Sequence, residues 1–241
     1  MQIVVDDLIL NYEQIGTGSK DLVILHGWGC SLKEWIPIAR KTKGYRVTLL
    51  DLPGFGFSEE PHKSINIFQY TEVFSKFLNK VNINKCIIVG HSFGGRIGTI
   101  FASNNSDIVE KLILVDAGGI EIKSTKTKIL ILLSKLLKPF KIFFPKKIRK
   151  ILESSDYKNA PRILRESFVK IINQDLRYLF PNIKIPVVVI WGSNDSILPV
   201  WYVKIYRTLI KNVNIKIVWE ANHFPHISKR EEFIKILNEE I

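Results

Sequence analysis

Three residues of this 241-residue chain are of the types that together activate a hydroxyl. Ser92 stands in "GHSFG", Asp195 in "WGSNDSILP" and His223 in "WEANHFPHIS". A serine hydroxyl is a weak nucleophile at its ordinary pKa, so it needs a base to take its proton and an acid to orient that base. Histidine and aspartate supply those parts, and the chemistry would be covalent catalysis at a carbonyl carbon. The pentapeptide alone is a short pattern, and its setting is what strengthens it. An apolar run from Cys86 leads in, and "FGGRIGTIFAS" follows with small residues at Gly94, Gly95 and Gly98. A sharp strand-to-helix turn needs such residues, because the backbone folds closely there and the helix must approach the sheet. A phosphate-binding turn would require G-x-G-x-x-G, and "GHSFGG" places Ser92 where its second glycine should be.

Attack by Ser92 would leave negative charge on the carbonyl oxygen, and that charge needs donors. One is the backbone N–H of Phe93, and the other is assigned to Trp28 in the "LHGWGC" loop. His26 of the same loop is expected to brace it by hydrogen bonds. Asp116, after "LILV", is the alternative acid, and Asp195 is favoured over it by the "WGSNDSILP" context. His226 competes with His223, but its spacing does not suit the motif. Asp107 and Asp175 are expected at the solvated surface or in lid contacts.

These side chains need a frame that brings distant segments together. Short apolar runs recur at "LVILH", "RVTLLD", "CIIVG", "LILVDA", "VVVIWG" and "IKIVWE", and most are continuous rather than alternating. That pattern predicts strands covered on both faces, as in a parallel sheet. Ile67, Tyr70, Phe74, Phe77, Leu78 and Val81 repeat at helical spacing between two of the runs. The expected class is therefore an α/β sandwich, with the opening "IVVDDLILNYEQIG" as an antiparallel edge hairpin around Asp6 and Asp7. Ser92, Asp195 and His223 each fall just past the end of a predicted strand, where open parallel sheets gather their ligands.

The alternation stops after Ala117 and resumes at Val187. Residues 119–182 are read as an inserted helical lid, and 1–118 with 183–241 as the core. Between Glu121 and Lys170 stand fourteen Lys or Arg and four acids, so most of the net charge of +12 resides in that interval. Its most apolar part, "KILILLSKLLKPFKIFF", is interrupted by lysines and by Pro139, which excludes a bilayer span. An amphipathic lid helix over a pocket is expected there, with peripheral membrane contact through its basic face as the competing reading. The lid's charge could steer an anionic substrate or an acidic carrier protein, whereas no nucleic-acid reader motif accompanies it.

The N-terminus has no basic segment ahead of a long apolar one, so the expected location is the cytoplasm. Cys30 and Cys86 are too few for a disulfide framework and are expected reduced and inert. No cofactor or metal is expected.

Taken in order, "HGWG", "DLPGFGFS", "GHSFGG", "WGSND" and "NHFPHISKREEF" resemble the motif series of α/β-hydrolases over nearly the full length. The resemblance implies an α/β-hydrolase fold with a mostly parallel central sheet, a Ser92-His223-Asp195 triad and a lid between the sixth and seventh core strands. It implies a structural role for Asp51 in "DLPGFGFS". Two departures stand out: Asn222 replaces the usual glycine before the histidine, and Ser228 and Lys229 occupy positions where an acid is common. The series is similar to the carboxylesterase branch that includes pimeloyl-carrier-protein methyl esterase, which implies a carboxylic ester hydrolase acting on a small-molecule or carrier-linked ester. "SFGGR" looks instead like the menaquinone-pathway lyases. There Arg96 would hold an anionic substrate; otherwise it is a surface or salt-bridge residue. C–C bond cleavage, or a hydrolase-fold receptor that only binds, fits the same residues.

Overall fold

The continuous apolar runs become strands because both of their faces are covered. The computed structural model describes residues 1–121 and 160–241. Eight strands form one sheet: β1 (Gln2–Val5), β2 (Leu8–Ile15), β3 (Lys20–Leu25), β4 (Tyr45–Leu50), β5 (Cys86–His91), β6 (Val109–Val115), β7 (Val187–Gly192) and β8 (Val213–Val218). Their order across the sheet is β1-β2-β4-β3-β5-β6-β7-β8. β1 and β2 pair antiparallel, as do β2 and β4, and the remaining pairs are parallel. The edge hairpin turns at Asp6, whose φ of 52° is tolerated best by Gly, Asn and Asp. Every residue of β5 and of β7 is buried, which accounts for their unbroken hydrophobicity.

Among the described residues seven helices flank the sheet: α1 (Ile36–Lys41), α2 (Ile67–Lys80), α3 (Phe93–Asn104), α4 (Arg162–Ile172), α5 (Val203–Leu209), α6 (Pro225–Ser228) and α7 (Arg230–Glu240). α2 starts where Asn66 accepts from the Phe68 and Gln69 N–H groups while the Gln69 side chain accepts from the Asn66 N–H. That reciprocal cap satisfies donors the helix cannot pair internally. Successive strand residues point to opposite faces, so Ile88 packs with Phe74, Phe77, Ile97 and Phe101 on one side. Ile87 and Val89 pack with Trp35, Ile38, Phe233 and Leu237 on the other. Truncating a fully buried ring such as Phe74 to Ala is expected to cost about 3–5 kcal/mol.

The described ends of the interval expected to be a lid pack into the first of these clusters, through Ile120, Leu164, Ile171, Leu176 and Phe180. The basic, apolar stretch read as a lid helix lies in residues 122–159, outside the described residues. Among the described residues no helix is long and apolar enough to cross a membrane. Neither cysteine is in a disulfide, and burial pushes the Cys86 thiol up to about 12.

Candidate active site

Ser92 sits between the end of β5 and the start of α3 with φ 48° and ψ −103°. A non-glycine residue held there carries strain of order 1–3 kcal/mol, so its surroundings must fix it. They do so by hydrogen bonds from the Ser92 N–H to the Val115 oxygen at 2.9 Å and from the Gly118 N–H to the Ser92 oxygen at 3.0 Å. The small residues around it are steric necessities. A Cβ on Gly94 would lie 2.3 Å from the Leu25 oxygen, and one on Gly95 would lie 2.6 Å from the Ala117 Cβ. The turn thus lifts the hydroxyl above the sheet at the N-terminus of α3, where negative charge is favoured.

His223 follows β8, and its Nε2 is 3.0 Å from Ser92 Oγ. Its Nδ1 is 2.7 Å from Asp195 Oδ2, in the loop after β7. Asp195 accepts at Oδ1 from the N–H groups of Ile197 at 2.7 Å and Leu198 at 2.8 Å, which leaves Oδ2 aimed at the imidazole. Because a carboxylate can only accept, His223 carries its proton on Nδ1 and presents a bare Nε2 to the serine hydroxyl. Asp195 and His223 are buried, and Ser92 is half-buried. Ser92, His223 and Asp195, with separations of 131 and 28 residues along the chain, lie in one hydrogen-bonded line.

The "LHGWGC" loop comes up beside the turn, and the Gly94 N–H donates to the His26 oxygen at 3.1 Å. His26 accepts the Leu52 N–H at Nε2 and faces the Gly27 oxygen with Nδ1, at 3.0 and 2.7 Å. Both ring nitrogens are therefore committed to bracing the loop, and burial lowers the His26 pKa. Asp51 ties three segments by accepting from Leu32, Phe57 and Asn11. The Trp28 ring packs on Phe55, Phe93 and Phe168, with centroids 4.8, 5.2 and 5.0 Å away. Phe168 comes from α4, so that helix forms an aromatic wall beside the turn.

Of the competing residues Asp116 lies beside Asp195 and His223, and the others fall elsewhere. His226 is buried and stacked on Trp35 at 4.1 Å, with Glu34 3.8 Å from its Nε2. Asp107 is exposed, and Asp175 pairs with Arg177. Asp116 is buried close to Asp195, its Oδ1 accepting the Gly192 N–H at 3.0 Å. Asn222, in the place of the usual glycine, accepts the Phe224 N–H at 2.8 Å. Lys229 pairs with Glu220 at 2.7 Å.

Arg96 is half-buried rather than a surface residue, and its Nη1 is committed to main-chain carbonyls. That atom donates to the Ile171 oxygen at 3.0 Å and the Gln174 oxygen at 2.8 Å, at the C-terminal end of α4. Loss of solvent lowers its pKa to about 10. Capping a helix end with a cation satisfies carbonyls that have no partner within the helix.

A family model described as alpha/beta hydrolase fold matches residues 21–138. A solved esterase from Exiguobacterium antarcticum superposes with a TM-score of 0.78 at 21% identity, over 98% of this chain and 96% of that one. The chain has the α/β-hydrolase fold. It is similar to the pimeloyl-[acyl-carrier protein] methyl ester esterase of Aliivibrio salmonicida, 28% identical over 95% of this chain and 94% of the relative. It is also similar to the 2-hydroxy-6-oxononadienedioate/2-hydroxy-6-oxononatrienedioate hydrolase of Burkholderia vietnamiensis, 27% identical over 88% of this chain and 80% of the relative.

One supporting residue escaped sequence reasoning. His91, next to Ser92, is buried, and its Nε2 is 2.8 Å from the His223 main-chain oxygen. Its place inside "GHSFGG" was the available signal, because a histidine in a strand buried on both faces requires a partner.

Proposed function

We propose that this α/β-hydrolase-fold protein cleaves a carboxylic ester or thioester through an acyl-enzyme on Ser92. The observation that carries the reading is the line from Ser92 Oγ to His223 Nε2, and from Nδ1 to Asp195, at 3.0 and 2.7 Å. In this reading His223 takes the hydroxyl proton as Ser92 attacks the carbonyl carbon, and Asp195 stabilises the imidazolium. The N–H groups of Phe93 and Trp28 are assigned to the oxyanion. His223 then returns the proton to the leaving oxygen or sulfur, and a water repeats the sequence to release the acid. Residues 119–182 are proposed as the lid over this site, and the cytoplasm as its place of work. Similarity to an esterase named for an acyl-carrier-protein substrate supports a carrier-linked or anionic ester, toward which the basic interval would steer.

The test is hydrolysis of p-nitrophenyl acetate and butyrate together with labelling by a fluorophosphonate. Wild type is expected to do both, and Ser92→Ala neither. A wild type that does neither would move the chain to the class of binding proteins built on this fold.

A second reading, C–C cleavage of a keto acid, draws on the likeness to the 2-hydroxy-6-oxononadienedioate hydrolase. Strong turnover of vinylogous keto acids beside weak ester turnover would favour it.

A further inference from the structure

Asp116 directly follows β6 and Asp195 lies in the loop after β7, and parallel pairing of Val115 with Ile190 brings those two strand ends together. A carboxylate oxygen of Asp116, one of Asp195 and a ring nitrogen of His223 all lie within 4.8 Å of one another. Asp116 is fully buried, with a φ of 41°. Its Oδ1 takes the Gly192 N–H, while its Oδ2 has no donor. Two buried carboxylates this close cannot both ionise cheaply. A proton on Asp116 Oδ2 resolves both problems, since the orphaned acceptor becomes a donor and Asp195 its acceptor.

We propose that Asp116 is a positioning residue of the triad, a carboxylic acid that holds the Asp195 carboxylate by a hydrogen bond and serves as the reserve acid for His223 when Asp195 is removed. The inference rests on the triad reading for its effect on catalysis, but the shared proton does not depend on it. The groups that face Asp116 agree with the assignment. They are Asp195 after β7, His223 after β8 and Tyr206 of α5, whose hydroxyl donates to the Ala117 oxygen at 3.0 Å. No cation is among them. Burial first, then the charge of Asp195, raises the Asp116 pKa well above the usual carboxylate range. Removing Asp195 withdraws the second of those causes, so Asp116 ionises more readily and can accept from the imidazole.

Two measurements decide the matter. The first is thermal stability of wild type and Asp116→Asn as a function of pH. The amide keeps the shape, the bond from Gly192 and a donor to Asp195, and Asn tolerates positive φ. A raised carboxyl pKa means that the folded state holds a proton which the unfolded chain loses above about pH 3.9, so stability falls as pH rises through the folded value. The melting temperature of Asp116→Asn is therefore expected to gain on wild type steadily from about pH 4 upward. A constant difference would overturn the shared proton.

The second is p-nitrophenyl butyrate hydrolysis by Asp195→Ala and by Asp195→Ala with Asp116→Asn. The single variant is expected to keep at least about tenfold more activity than the double, and its residual rate should rise with pH as Asp116 ionises. Equal rates, or a residual rate indifferent to pH, would overturn the reserve role. An inactive wild type would instead overturn the triad reading and the reserve role with it, leaving the stability comparison to decide the hydrogen bond.

Discussion

His91 holds the backbone of His223: its Nε2 donates to the His223 oxygen at 2.8 Å, so the residue before Ser92 fixes one that lies 132 positions later. The bond ties the end of β5 to the loop after β8. Replacing His91 by Ala removes it and strands a buried carbonyl, which costs about 1–3 kcal/mol on top of the cavity. The expected outcome is a melting temperature several degrees lower and a kcat reduced about tenfold or more, with KM little changed. Steady-state kinetics on p-nitrophenyl butyrate check it, and an unchanged kcat would separate His91 from the positioning of His223.

Arg96 leads to a different pattern. Its Nη1 holds two carbonyls at the end of α4, so Arg96→Met should destabilise by roughly 2–3 kcal/mol through lost charged hydrogen bonds. Loosening α4 would affect neutral and anionic esters alike. The check is kcat/KM for paired esters that differ only in a distal carboxylate, run beside thermal melts. A loss confined to the anionic member would return Arg96 to substrate binding.

Acid should unfold this protein earlier than its carboxylates alone would. Burial lowers the pKa values of His26, His91 and His226, so all three are neutral in the folded chain. The unfolded chain protonates them below about pH 6.5, and stability present above that value is lost as pH falls toward the depressed folded values. Each unit of depression is worth about 1.4 kcal/mol. Denaturant melts at a series of pH values between about 7.5 and 5 are expected to show the fall. His226→Phe, which keeps the stack on Trp35, should flatten part of it, and an unaltered slope would remove His226 from the account.

The frame, and the places of Ser92, Asp195 and His223 within it, were legible in sequence because each depends on local pattern. Unbroken apolar runs marked strands covered on both faces, and Ser92, Asp195 and His223 each stood one loop past such a run. What could not be read depends on register and on contacts between distant segments. The nearness of Asp116 to Asp195 follows from pairing of β6 with β7, and the task of Arg96 follows from where α4 ends, 75 residues away. The stacking of His226 on Trp35 likewise joins residues from opposite ends of the chain. A side chain's type announces the chemistry it can do, but only the fold supplies its partner.

The aromatic wall beside Ser92 makes acyl-chain length the property most open to change. Phe168 of α4 packs on Trp28 at 5.0 Å, and Trp28 packs in turn on Phe93, the neighbour of Ser92. Phe168→Ala removes a ring that packs on Trp28 and opens space without altering Ser92, His223 or Asp195. Each methylene that gains burial there is worth about 0.8 kcal/mol, or roughly fourfold in kcat/KM. The ratio of octanoate to butyrate ester turnover is therefore expected to rise several-fold in Phe168→Ala, with the butyrate rate itself lowered less. Ester panels on wild type and variant measure it. An unchanged chain-length profile would mean that the acyl group lies on another side of Trp28, away from α4.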